Sequence, residues 1–131
     1  MHHGSCLCGA VKYRIDAPIE AATHCHCSQC RKAHGAAFGT YGNVRWSSFR
    51  WTAGEESVVR YHSSPGVTRT FCRSCGATLQ WYSESAHPKW VSIALGTLDS
   101  PLGEIPQKHI YPESKADWYA IADGLPQEPR S

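Results

Sequence analysis

At 131 residues the chain has the length of one domain, since single cores span about 100–200 residues, and positions 1–131 read as one unit with no internal boundary. Hydrophobic residues make up 41% and charged residues 18%, which excludes a disordered chain. Thirteen Lys and Arg against 11 Asp and Glu leave a formal charge of +2, too little to point to a nucleic-acid partner. No apolar run approaches the roughly 20 residues of a membrane-spanning helix, so no membrane role is expected.

In chain order, Met1–Cys6 has no apolar core of the signal-peptide kind, which points to a reducing, cytoplasmic setting. His2 and His3 are either native residues or a tag remnant. Residues 10–15 alternate, with Val11, Tyr13 and Ile15 on one face, and predict a half-buried strand. Ser28 is a suitable N-cap for one short helical turn over Gln29–His34. Residues 36–46 predict a strand bent or bulged at Gly39 and Gly42. Arg50-Trp51 and Val58–Tyr61, separated by Ala53–Glu56, predict a hairpin. Further β-rich runs cover 67–71, 78–82 and 90–95. Beyond Pro112 the chain is rich in Pro, Asp and Gly, and Trp118, Tyr119 and Ile121 are expected to dock on the sheet. Strands at hairpin spacing predict a mainly β fold.

Seven cysteines are the unusual feature, and an odd number cannot all pair within one chain. They fall into Cys6-Leu7-Cys8, Cys25-His26-Cys27-Ser28-Gln29-Cys30 and Cys72-Arg73-Ser74-Cys75. Thiolates two or three residues apart turn toward one cation where the backbone curls into a knuckle. Gly9 and Gly76, directly after two of the groups, permit the positive φ such knuckles need. Zinc suits a thiolate-rich, redox-inert site. Spacing allows two divisions. Cys6, Cys8, Cys72 and Cys75 can form a closed structural site, leaving Cys25, Cys27 and Cys30 as an open one with a free fourth position. Alternatively, Cys27/Cys30 with Cys72/Cys75 form a zinc ribbon and the other three are ordinary thiols.

The segments Gly4-Ser5-Cys6-Leu7-Cys8-Gly9-Ala10-Val11, Cys25–Lys32 and Phe71–Gly76 strongly resemble the glutathione-dependent formaldehyde-activating (GFA) enzymes and their CENP-V relatives. So does the closing stretch from His109-Ile110-Tyr111 through Asp117-Trp118 to Asp123-Gly124-Leu125-Pro126. The resemblance implies stacked antiparallel sheets similar to methionine sulfoxide reductase B. It also implies two zincs per chain, with Cys6, Cys8, Cys72 and Cys75 structural and Cys25, Cys27 and Cys30 catalytic. The implied reaction adds glutathione's thiol to formaldehyde, formally a carbon–sulfur lyase in reverse.

Chemistry sets further expectations. A thiol proton needs an acceptor, for which His24, His26 and His34 are candidates. Glutathione's two carboxylates call for cations beside the zinc, for which Arg31, Lys32 and Arg73 are the choices by position. Of the five tryptophans some should wall a pocket and the rest pack the core. The competing reading is a zinc-stabilised binding module, which would close the fourth position with a side chain such as His26 or His109. A methionine sulfoxide reductase would need a nucleophilic cysteine beyond the metal ligands. The expected partner is a small thiol or aldehyde, with homodimerisation left open.

Overall fold

In the computed structural model, which describes residues 1–130, eleven short strands, one helix and four single 3-10 turns make up the regular structure. The strands are β1 (His2–Ser5), β2 (Lys12–Ile15), β3 (Ala22–Cys25), β4 (Gly39–Arg45), β5 (Phe49–Ala53), β6 (Val58–Ser64), β7 (Val67–Cys72), β8 (Thr78–Ser83), β9 (Trp90–Ala94), β10 (Gln107–Ile110) and β11 (Gln127–Glu128). The helix α1 is Ser28–His34. A three-stranded sheet has the order β1-β2-β5, and an eight-stranded sheet the order β11-β10-β3-β4-β9-β8-β7-β6.

The small sheet packs on the middle of the large one, and the side-chain alternation of β2 shows why. Tyr13 and Ile15 are buried while Lys12 and Arg14 are exposed, as a strand with one wet face requires. Tyr13 and Ile15 meet Val44, Val91 and Ile93 of β4 and β9, with Trp46, Phe49 and Trp51 around the edge. Two smaller clusters flank this core, and each contains cysteines. Cys6 and Cys72 pack with Val11, Val58 and Leu79. Cys25 and Cys30 pack with Tyr41, Ala94 and Ile110.

The mainly β architecture agrees with the sequence reading, with local corrections. Pairing is antiparallel except at one edge, where β10 runs parallel to both β3 and β11. The expected hairpin over 50–61 does not form. β5 pairs with β2 and β6 with β7, so the turn at 54–57 carries the chain from one sheet to the other. β4 is regular against both neighbours rather than bulged. Gly42 instead makes room for close packing, since a Cβ there would lie 2.6 Å from Ile19 Cγ2. The helix N-cap is Cys27, whose sulfur accepts from the Cys30 N–H, and not Ser28. Trp118 is 71% exposed and does not dock, whereas Tyr119 packs edge-on against Phe38.

Candidate metal centres and the adjoining cleft

Two matching knuckles build the four-cysteine cluster. In the first, Gly9 N donates to Cys6 O and Cys6 N to Val11 O; in the second, Gly76 N donates to Cys72 O and Cys72 N to Ala77 O. Gly9 and Gly76 have φ of 81° and 78°, the left-handed conformation expected of them. The four sulfurs lie within 4.8 Å of one another. Cys6 and Cys8 Sγ are 3.6 Å apart, and Cys8 and Cys72 Sγ 3.9 Å. A tetrahedral zinc with bonds of ~2.3 Å spaces its sulfurs ~3.8 Å apart, so the donor set fits that ion. Hydrogen bonds from the Ala77 and Cys8 backbone pull the Cys75 thiol down to about 6, whereas Cys8 in the same cluster is pushed up to about 11. All seven cysteines are free of disulfides.

The second cluster is assembled from one short segment. Cys25 ends β3, Cys27 caps α1 and Cys30 lies in its first turn, with their sulfurs within 4.8 Å of one another. Hydrogen bonds from Cys25 and Cys30 hold Cys27 down to about 2, and the same contacts push Cys25 well above the usual thiol range. Among the described residues no fourth Cys, His, Asp or Glu joins the group. The division of the cysteines into four and three is therefore the one the fold brings together, and no ribbon of Cys27/Cys30 with Cys72/Cys75 forms.

The three sulfurs open into a cleft of about 860 Å³ walled by Trp81, Trp90, Tyr111 and Tyr41. Its most consequential residue is Arg69 of β7, which is 8% exposed. Both terminal guanidinium nitrogens lie 3.7 Å from Cys30 Sγ, and Nη1 also donates to the Tyr41 hydroxyl at 3.4 Å. Arg69 Nε donates to Ser63 Oγ. Burial works against the guanidinium charge, but Cys30, Tyr41 and Cys27 together outweigh it and raise the Arg69 pKa further above its ordinary value. The Tyr41 phenol, buried and beside Cys30, is held above its ordinary range.

The candidate cations occupy different places. Lys32 reaches a smaller hollow of about 530 Å³ that shares Gln29 and Arg69 with the cleft. Arg31 and Arg73 line neither hollow. Arg73 belongs to the other knuckle, where it donates to the Glu56 carbonyl at 3.3 Å. Lys108 does line the cleft, paired with Glu128 at 2.9 Å. Sequence reasoning missed both: Arg69 is near Cys72 along the chain but reaches Cys30 of the other cluster, 39 residues away, and Lys108 is near no cysteine.

The histidines separate by depth. His24 is bound on both nitrogens, to Thr40 and Gln107. His26 is fully buried and pairs with His109 rather than joining the cysteines. His34 Nε2 is 2.6 Å from the Tyr41 hydroxyl, and burial, followed by the Arg69 charge, lowers its pKa. Trp81 and Trp90 wall the cleft, while Trp46 and Trp51 pack the core.

Comparison with known proteins agrees with this architecture. A Halomonas elongata protein named "Putative glutathione-dependent formaldehyde-activating enzyme" is 31% identical over 126 residues, 90% of this chain and 79% of its own. A Schizosaccharomyces pombe protein named as an uncharacterized lyase is 28% identical over 95 residues, 72% of this chain and 67% of its own. A crystal structure of a Rhodobacter sphaeroides protein superposes with a TM-score of 0.65 at 28% identity, covering 80% of this chain and 98% of that one. No helix is long and apolar enough to cross a membrane. The family described as glutathione-dependent formaldehyde-activating enzyme matches residues 1–114, and the chain belongs to that family.

Proposed function

We propose that the protein is a zinc-dependent carbon–sulfur lyase of the formaldehyde-activating type. It reversibly adds a small thiol such as glutathione to formaldehyde or a related aldehyde. The observation that carries this reading is the three-cysteine cluster, which faces the large cleft and is joined by no fourth protein donor among the described residues. The non-catalytic alternative would close that position with His26 or His109, but neither joins the three sulfurs, and His26 Nε2 is turned to His109 Nδ1 instead. Cys6, Cys8, Cys72 and Cys75 would hold a structural zinc, and Cys25, Cys27 and Cys30 a catalytic one. When bound by three thiolates, zinc lowers the pKa of an incoming thiol and polarises a carbonyl.

The chain's own residues prepare the site for this chemistry. Three thiolates and a divalent zinc would sum to −1, which would repel a fourth anionic sulfur. Arg69 offsets that charge from within hydrogen-bonding distance of Cys30. Tyr41 accepts from Arg69, so its own hydrogen is directed at His34 Nε2. Burial keeps His34 neutral and ready to accept. A proton from the thiol thus passes to the Tyr41 oxygen while Tyr41 gives its own to His34. The reverse transfer delivers a proton to the aldehyde oxygen. The S–H bond and the π bond of C=O are replaced by C–S and O–H, and the C–O single bond remains. Lys32, which lines the hollow beyond Arg69, and Lys108, which lines the cleft, would meet a substrate carboxylate.

The test is exchange NMR with carbon-13 formaldehyde and glutathione. The zinc-loaded protein should accelerate interconversion of formaldehyde and the S-hydroxymethyl adduct, and Cys27→Ser should abolish the acceleration. No acceleration with glutathione or other small thiols, or full activity in Cys27→Ser, refutes the assignment.

A further inference from the structure

Behind the three-cysteine turn lies a row of buried polar groups that the proposed reaction does not use. His26, between Cys25 and Cys27, and His109 are both completely buried. His26 Nε2 is 2.7 Å from His109 Nδ1, and His109 Nε2 is 2.8 Å from Asp123 Oδ2. A carboxylate only accepts, so the hydrogen of His109 resides on Nε2. Its Nδ1 then offers a lone pair, and His26 Nε2–H donates to it. The other His26 nitrogen, Nδ1, is buried without a partner, so the bond to His109 is the ring's one polar anchor.

The backbone fastens the same two regions. His26 N donates to Ile110 O at 3.0 Å, His109 N to Pro126 O at 2.8 Å and Tyr111 N to Glu128 O at 3.1 Å. Asp123 Oδ1 also accepts from Leu125 N, which fixes the carboxylate's direction. Phe38 and Tyr119 enclose the His26 ring, with centroids 5.0 and 6.0 Å away.

We infer that Asp123, acting through His109 and His26, is a positioning residue that fixes the Cys25–Cys27 turn and so determines how tightly the three-cysteine site holds its metal. The inference rests on reading that cluster as a metal site. Outer-shell hydrogen bonds of this kind govern ligand orientation elsewhere, and their loss costs about 10–100-fold in metal affinity. Here the histidine is not itself a ligand. It is the residue between two ligands, so its ring sets the backbone that aims both sulfurs.

The experiment uses the full-length, zinc-loaded, reduced protein and follows zinc transfer to a chromogenic chelator. Cys27→Ser identifies the phase that belongs to the four-cysteine site. Asp123 is 42% exposed, so Asp123→Ala should fold, and the vacated carboxylate position is open to formate. Asp123→Ala should release zinc from the three-cysteine site roughly 10–100-fold faster, with the four-cysteine phase unchanged. Formate should slow the release again and chloride should not. Glu128→Ala, which cuts the surface pair to Lys108 and leaves the buried row intact, should release zinc at the wild-type rate. Wild-type release from Asp123→Ala, equal acceleration at both sites, or no response to formate overturns the inference. One zinc per wild-type chain would overturn it together with the functional reading. Two zincs with an indifferent Asp123→Ala would overturn the positioning role alone.

Discussion

Replacing Arg69 with methionine removes the buried cation while keeping much of its length. At 3.7 Å from Cys30 Sγ, a unit charge in an effective dielectric near 20 contributes about 4 kcal/mol of attraction. Desolvation of the guanidinium offsets part of this, which leaves about 3 kcal/mol of compensation for the anionic cluster that the substrate sulfur must join. That corresponds to a loss of roughly a hundredfold in kcat/KM. Arg69→Lys restores the charge but cannot reach Ser63, Tyr41 and Cys30 together, because an ammonium lacks the planar fork. It should recover about a tenfold part of the loss. The assay is thiol–formaldehyde exchange by NMR, with zinc content and circular dichroism confirming that each variant is folded and loaded. An Arg69→Met protein that carries both zincs and stays within about threefold of wild type refutes the charge-compensation argument.

The two cysteine clusters should differ in what they support. Cys72→Ser should destabilise the fold by at least ~3 kcal/mol, about 10 °C or more in Tm, because a structural metal supplies folding energy directly. Cys27→Ser should stay folded with one zinc and no activity, and equal loss of stability in both would sink the division. Gly42→Ala places a methyl 2.6 Å from Ile19 Cγ2 and 3.0 Å from Leu95 Cδ2, and overpacking of this kind costs about 1–3 kcal/mol. Urea denaturation should show that loss; an unchanged midpoint would contradict the close packing described. His34 is held neutral by burial, with its folded pKa below the unfolded value. Its contribution to stability is therefore fully present above about pH 6.5 and lost as the pH falls below it. The Tm difference between wild type and His34→Gln should shrink on acidification, and a difference that grows would reverse the sign of this argument.

What the sequence revealed follows from how local each signal is. The cysteine groups are legible because ligand spacing within each group is covalently fixed, and Gly9 and Gly76 betray the knuckle turns. The strand β2 is legible because its two faces see different solvents. Arg69 is not, since it sits in an ordinary β-rich run and meets Cys30 only when β7 and α1 are brought together. The strands β1, β3 and β10 are as short as β2 but lack its buried–exposed alternation and contain histidine and other polar groups, so no period marks them. The false hairpin over 50–61 arose because turn chemistry records a change of direction and not which sheet receives the next strand. Ser28 looked like the cap because serine is common there. Cys27 takes that place because the turn that gathers the sulfurs also starts the helix.

The parallel pairing of β10 with β3 sets Ile110 beside Cys25, and this has a consequence for the order in which the protein is made. When residues 22–25 leave the ribosome, one of their two neighbouring strands does not yet exist. Cys25, Cys27 and Cys30 are close enough along the chain to gather around a metal early, whereas Cys6 and Cys8 must wait for Cys72 and Cys75. Both the long-range closure of the four-cysteine knot and the sealing of the three-cysteine turn fall late in synthesis, after a stretch in which reduced thiols are exposed. Strands β10 and β11, made after all seven cysteines, complete the back of the three-cysteine cluster. A chain released early would hold the cysteines of that site without the strand that backs them.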